Sequence, residues 1–411
     1  MALLGSVLFI GGCGGGGGTK SSGTGDRAPE PTCSRDVGAE ASSQQLTSAQ
    51  GFRVPDSTRE RQEDVGQRLH TNHIVLRGAG RGDRPTGFTP QQIRTAYGIT
   101  GSGSGAIAVV AAFDYVQAVD DFNVFSREFG LPTEPSTDPT ANNAQLQVVY
   151  ASGRRPTTDS GWNQEAALDI QWAHAAAPGA KIYLVEADSS SLRDLMAATH
   201  VAKRLPGVRQ VSMSFGGTET SCAYATFDPI FSQSGVSFYG SSGDSAGERL
   251  FPSLSRRVIC VGGTTLQTNG AGSRRSETVW NGAGGGISRF SPRPIFQDPV
   301  GSIVGRYRAG PDISAVANPQ TGVSVYCSVS DGGDVGWLVI GGTSASTPII
   351  AGIVNAAGRG GDSAAVATRL YSQLGSGVFF DIIAGNSGSL AAAPGYDIIS
   401  GVGAPNGQDG F

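Results

Sequence analysis

The sequence predicts an α/β fold in three layers, with a mostly parallel central sheet flanked by helices. Continuous apolar runs, "AIAVVAAF" (106–113), "LQVVYA" and "KIYLVEA" among them, read as strands buried on both faces. Helical segments separate them, and strands of this kind belong to parallel sheets covered on both sides. The 62 glycines in 411 residues suit the many tight turns such a fold needs.

Order is expected to begin near Phe88. In "TPQQIRTAYG", Thr89 can N-cap a helix, Pro90 suits its first position, Gln92 completes a capping box and Gly98 stops it. "AIAVVAAF" follows as a strand, "DDFNVFSREFG" as a helix and "LQVVYA" as a strand. "NQEAALDIQWAHAAA" is a helix ended by "PGA", and "KIYLVEA" a strand. "SLRDLMAATHVAKRL" reads as a helix, "VRQVSMSF" as a strand, "FDPIFSQSG" as a helix and "VSFYGSSGD" as a strand. The glycine runs 101–105 and 282–286 lack the strand-to-helix context of a nucleotide loop and read as turns.

A net charge of −4 with no basic block argues against nucleic acid as a partner. No apolar stretch approaches the ~20 residues of a membrane span. Cys13, Cys33, Cys222, Cys260 and Cys327 show no zinc spacing. With Cys13 set aside, the other four could form up to two disulfides. The start, "MALLGSVLFIGGC", reads as an export signal over residues 1–13, lipoprotein-like or ordinary secretory. In the first case lipid on Cys13 would tether the chain to a membrane through the Gly/Ser-rich tract that follows. Residues 14–87 read as a disordered tether and short pro-segment, polar apart from "HIVL", and 88–411 as a single folded domain.

Glu165 and Asp169 lie one turn apart in the helix "NQEAALDIQWAHAAA", on one face among Ala, Leu, Ile and Trp. Like charges so placed weaken a helix unless a partner or a shared proton makes the pair useful. "GGTSASTPIIAGIVNAAG" (341–358) sets Ser344 at a helix start, with Pro348 placed in the first turn, where N–H groups and the dipole favour negative charge. Gly-Thr-Ser-x-x-x-Pro looks like the nucleophile motif of the subtilisin superfamily, but no histidine has the setting of that triad. His70 and His73 sit in the polar leader, and His200 lies in an ordinary helix. His174 falls about 180° around the helix from Glu165, which disfavours a triad built from Asp114 and His174.

Ser344 with a Glu-x-x-x-Asp helix resembles the sedolisins, or serine-carboxyl peptidases, of subtilisin-like fold. "YGSSGDSAG" (239–247) resembles their oxyanion-hole segment and "SMSFGG" (212–217) their substrate-pairing strand. The resemblance implies an acid-active endopeptidase of protein or peptide substrates, monomeric, with Ser344 as nucleophile, Glu165 as base, Asp169 as its partner and Asp244 as oxyanion stabiliser. The alternative is a non-catalytic binding protein on a protease scaffold. "FFDIIAGNSGSLAAAPGYDIISGVGAPNG" resembles the family's calcium loop. It implies one structural Ca²⁺ held by Asp381 and Asp397 side chains and by the Ile382, Ala393 and Gly395 carbonyls. The resemblance also implies a large folded prodomain, for which residues 14–87 are expected to be too few.

Overall fold

The computed structural model describes residues 51–78 and 84–411; the expected signal, Cys13 and the tether up to residue 50 lie outside them. The packed chain takes in residues well upstream of Phe88. Phe52–Arg53 (β1), His70–Thr71 (β2) and Ile74–Leu76 (β3) are all strands. The helix Pro90–Ala96 (α1) has the expected reciprocal capping box between Thr89 and Gln92. Strand Ala106–Ala112 (β4), helix Ala118–Phe129 (α2) and strand Leu146–Tyr150 (β5) follow as expected, and Gly130 ends α2 at φ 66°. Helix Ser160–Ala176 (α3) starts on Asp159, whose carboxylate accepts the Trp162 N–H at 3.0 Å. Lys181–Ala187 (β6) and Leu192–Ala202 (α4) come next.

"VRQVSMSF" is two strands: Val208–Met213 (β7) stays in the central sheet, whereas Phe215–Thr218 (β8) leaves it at Ser214. The next helix is Ser221–Phe227 (α5), upstream of the expected one, and Asp228–Phe231 forms only a 3₁₀ turn. Thr220 explains the shift, because its side chain caps the Ala223 N–H. After Ser237–Ser241 (β9) come Leu250–Phe251 (β10), Ile259–Thr268 (β11), Arg274–Val279 (β12), Gly286–Pro292 (β13) and the short helix Gly301–Val304 (α6). Tyr307–Gly310 (β14), Ile313–Val316 (β15), Val323–Asp331 (β16) and Asp334–Gly341 (β17) lead to Thr343–Ala356 (α7) and Ser363–Ser372 (α8).

The central sheet runs β12-β11-β9-β7-β4-β6-β5, with β15 also on β11. Every pairing in it is parallel except β11 with β12. β4 is buried at every position, as a strand covered on both faces must be. Two small antiparallel sheets, β1-β3-β17-β16 and β10-β8-β2, carry the N-terminal strands.

Helices α3 and α7 pack on one another. A methyl at Gly352 would lie 2.4 Å from Ala176 Cβ, so the glycine is what lets the two helices approach. Both are buried nearly end to end, so neither acid of α3 faces water. Of the cysteines in view, Cys222 is disulfide-bonded, while Cys260 and Cys327 are buried free thiols. The second disulfide allowed by the cysteine count is therefore absent among the described residues.

Candidate active site

The start of α7 organises the site. Its first backbone donors are claimed from outside the helix, as unsatisfied N-terminal N–H groups must be. Thr343 N–H donates to Asp244 Oδ1 at 2.7 Å, and the Thr343 hydroxyl donates to the same oxygen at 2.9 Å. Ser344 N–H donates to the Asn72 carbonyl at 3.0 Å. Gly342, at φ 101°, leaves room for this convergence. A methyl there would meet Asn72 O at 2.2 Å and Asp244 Oδ2 at 2.5 Å. Those two oxygens thus face one small space beside the serine. Pro348 sits in the second turn of α7, later than expected, and has no N–H for the Ser344 carbonyl. The Ser214 hydroxyl lies 3.4 Å from that carbonyl instead.

Structure brings Glu165, Asp169, Asp244 and Ser344 together. Glu165 is 1% exposed and Asp169 fully buried. Burial raises both carboxyls, and their coupling means that one of the pair carries a proton. Asp169 Oδ1 is 2.7 Å from the Ser214 hydroxyl, which also lies near the Ser344 carbonyl. The Ser214 hydroxyl donates to Asp169 Oδ1, which holds that carboxyl down against burial. Glu165 Oε1 is left buried with no hydrogen-bond partner, an open acceptor. The Ser344 hydroxyl donates to the Ser214 carbonyl at 3.2 Å; burial raises the Glu165 pKa, and hydrogen bonding to the Ser344 side chain opposes that rise.

Asp244 follows β9 in a turn whose Asp244 and Ser245 N–H groups donate to Glu248 Oε2 at 2.9 and 3.1 Å. Burial pushes its pKa up to about 8, against the opposing hydrogen bonds from Thr343. Its Oδ2 is buried and unpartnered. A neutral Asp244 would have an O–H to donate from there.

Two residues of the N-terminal segment enter this site, and motif reading missed both. His73 Nδ1 is hydrogen-bonded to Glu165 Oε2 at 2.8 Å. Burial, with Arg53 adding to it, lowers His73 to about 3, so its ring is neutral. The Asn72 N–H donates to Ser344 Oγ at 3.1 Å, and its side-chain amide to Ser241 Oγ at 2.7 Å. The one sequence signal was the apolar "HIVL", too short to specify a partner. The other imidazole considered stays away: His174 Nε2 bonds the Pro132 carbonyl at 2.9 Å and its ring packs on Phe122. Asp114 pairs with Arg155 at 2.9 Å instead of a histidine.

The C-terminal acids share one loop. Asp381 Oδ2 accepts the Gly395 N–H at 2.8 Å, and Asp397 Oδ2 accepts the Ala393 N–H at 3.1 Å. Asp397 Oδ1 takes the N–H groups of Ile399 and Ser400. No group of three or more His, Cys, Asp or Glu side chains is placed for a metal among the described residues. A cation at this loop would therefore need backbone carbonyls beside the two carboxylates, and an all-oxygen set of that kind suits Ca²⁺.

The sequence profile of the subtilase family matches residues 159–363. Kumamolisin of Bacillus sp. (strain MN-32) is 32% identical over 362 residues, which cover 79% of this chain and 63% of kumamolisin. Sedolisin of Pseudomonas sp. (strain 101) is 27% identical over 324 residues, covering 70% of this chain and 52% of sedolisin. The chain thus spans less than two thirds of the length of these relatives. The solved structure of Pseudomonas sedolisin, a serine-carboxyl proteinase complexed with two molecules of pseudo-iodotyrostatin, superposes with a TM-score of 0.67 at 26% identity. That match covers 79% of this chain and 96% of the solved one. With this fold, a buried acid pair on α3 and a serine at the head of α7, the chain belongs to the sedolisin family.

Proposed function

We propose that the chain is an exported, acid-active serine-carboxyl endopeptidase that cleaves protein or peptide substrates. The observation that supports it most is the pair of unpartnered oxygens at Ser344, Glu165 Oε1 as acceptor and Asp244 Oδ2 as the seat of a donor proton. Ser344 Oγ attacks the substrate carbonyl carbon while Glu165 takes the hydroxyl proton and Asp169 shares the charge that results. The developing oxyanion is held by the Ser344 N–H and by neutral Asp244. Glu165 then returns the proton to the leaving amine, and water repeats the sequence to release the acyl group. Because burial holds the Asp244 proton to about pH 8, loss of this donor sets the alkaline limit. The acid limit belongs to Glu165, which becomes easier to ionise once water enters the cleft.

Asp381 and Asp397, with the carbonyls of Ile382, Ala393 and Gly395, are proposed to hold one Ca²⁺, which would rigidify the C-terminal loop and take no part in the chemistry. The N-terminal run is proposed as an export signal, with membrane tethering through Cys13 as its lipoprotein form. No described helix is long and apolar enough to cross a membrane. The deciding experiment is casein digestion from pH 2 to 8 by wild type and Ser344→Ala. Acid-side activity that vanishes in the variant is expected. Equal activity in both proteins, or activity that appears only above pH 7, would overturn the reading.

A further inference from the structure

We propose that Glu248 is a positioning residue for the oxyanion donor: its carboxyl fixes the turn that carries Asp244, so that Asp244 Oδ2 is held towards Ser344. This rests on the peptidase reading above. Asp244 is held at two places. At the tip of its side chain, Oδ1 accepts both the N–H and the hydroxyl of Thr343, at 2.7 and 2.9 Å. At its main chain, the Asp244 and Ser245 N–H groups both donate to Glu248 Oε2, at 2.9 and 3.1 Å. The first hold alone leaves the carboxyl free to pivot about Oδ1. The second fixes the backbone from which the side chain hangs, and with it the direction of Oδ2.

The turn is built around the Glu248 carboxyl. Gly243 has φ 107°, and a methyl on it would lie 2.3 Å from Glu248 Oε2, so glycine leaves the room that the oxygen occupies. Glu248 is in turn fixed to a neighbouring loop, because its carbonyl accepts the Gly285 N–H at 3.1 Å. Beside that bond, the Gly284 N–H donates to the Gly243 carbonyl at 2.7 Å. A methyl at Gly284 would meet Ser242 O at 2.4 Å, so close approach of the two backbones accounts for a glycine there. The glycine run 282–286, which has no part in nucleotide binding, thus supports the oxyanion turn from behind.

Glu248 acts here as an acceptor, whatever its charge. Burial raises its pKa to about 7, against the opposing charge of His70, so in acid Oε2 accepts as a neutral carbonyl oxygen. An amide can therefore replace the group, whereas a shorter acid cannot. Aspartate would withdraw the oxygen by one C–C bond, about 1.5 Å, which carries it beyond hydrogen-bonding range of both N–H groups. The oxyanion donor would then lose its fixed direction, and a misplacement of about 1 Å can cost on the order of 10²-fold in rate.

The test is kcat and KM on casein at pH 4, with the melting temperature of each protein, for wild type, Glu248→Asp and Glu248→Gln, and for Glu248→Asp added to Asp244→Ala. Glu248→Asp should lower kcat by about 10- to 100-fold while KM stays within about twofold, and Glu248→Gln should recover most of that loss. In Asp244→Ala no donor is left to position, so adding Glu248→Asp should cost less than about twofold. A Glu248→Asp enzyme with wild-type kcat, or with its loss in KM alone, overturns the inference. So does Glu248→Gln as slow as Glu248→Asp, or the full extra loss in Asp244→Ala. Glu248→Asp that is unfolded at the assay temperature overturns it too, because the carboxyl would then hold the fold rather than one turn. Each of these leaves the peptidase reading standing, whereas wild type that does not digest casein overturns both.

Discussion

Asp244→Asn tests the oxyanion assignment through stability, without relying on turnover. The carboxyl is raised by burial from 3.8 to about 8. An acid so shifted binds its proton more tightly folded than unfolded. Its stabilisation is complete below pH 3.8 and is lost as pH climbs towards 8. Each pH unit between those limits removes about 1.4 kcal/mol, so roughly 4 kcal/mol is gone by pH 7. Asparagine has no proton to lose, and its oxygen can still accept both Thr343 donors. Urea unfolding at pH 4 and pH 7, in a Ser344→Ala background that prevents self-digestion, measures the difference directly. The stability of Asp244→Asn relative to Asp244 should rise by roughly 4 kcal/mol between the two conditions. Parallel pH dependences would show that the carboxyl ionises as readily folded as unfolded, and the neutral donor at Ser344 would be lost with it.

Glu165→Gln keeps the packing but cannot take a proton, so kcat on casein should fall by about 10²–10⁴ with the melting temperature preserved; near-normal kcat would remove Glu165 as base. Arg53→Met strands Asp331, Asp334 and Gln164, and should cost about 3 kcal/mol by urea unfolding, because a buried charge left without its partner is not resolvated. A cost under about 1 kcal/mol would mean that the two aspartates reach water once the arginine is gone. Chelator should lower the melting temperature of wild type but not of Asp397→Ala, and a wild-type curve indifferent to chelator and to added Ca²⁺ would dismiss the ion.

What could be read from sequence was whatever is local or periodic. The parallel strands announce themselves by apolar runs, α1 by its cap residues, and the acid pair by a four-residue spacing that only a helix turns into proximity. Ser344 was legible because a glycine, a helix start and a proline stand at fixed offsets around it. The N-terminal segment was not legible. Its bonds to the site come largely from backbone groups of Asn72, which carry no residue signature, and His73 meets Glu165 across 92 positions of sequence. α5 was missed for a different reason: Thr220 caps a run of only 7 residues, too short to show a helical period.

That unread segment also determines the electrostatics of the acids that were read. Glu165 is 1% exposed in a cleft filled by its own chain, with Asn72 over the serine and His73 against its carboxyl. The protons held by Glu165, Asp169 and Asp244 are therefore those of a covered site. Uncovering it would act on both acids. Glu165 would exchange an imidazole for water and lose most of the burial that raises it, so its proton would leave in acid. Asp244 Oδ1 is fixed by Thr343 from within the scaffold, and its N–H is tied to Glu248, so neither bond depends on the segment. The Thr343 bonds favour the ionised carboxylate, and Asn72 is part of what buries Oδ2, so the movement that vacates the cleft would lower both proton affinities; Asp244 then keeps its donor proton only in acid, the range in which it and an ionised Glu165 can work together.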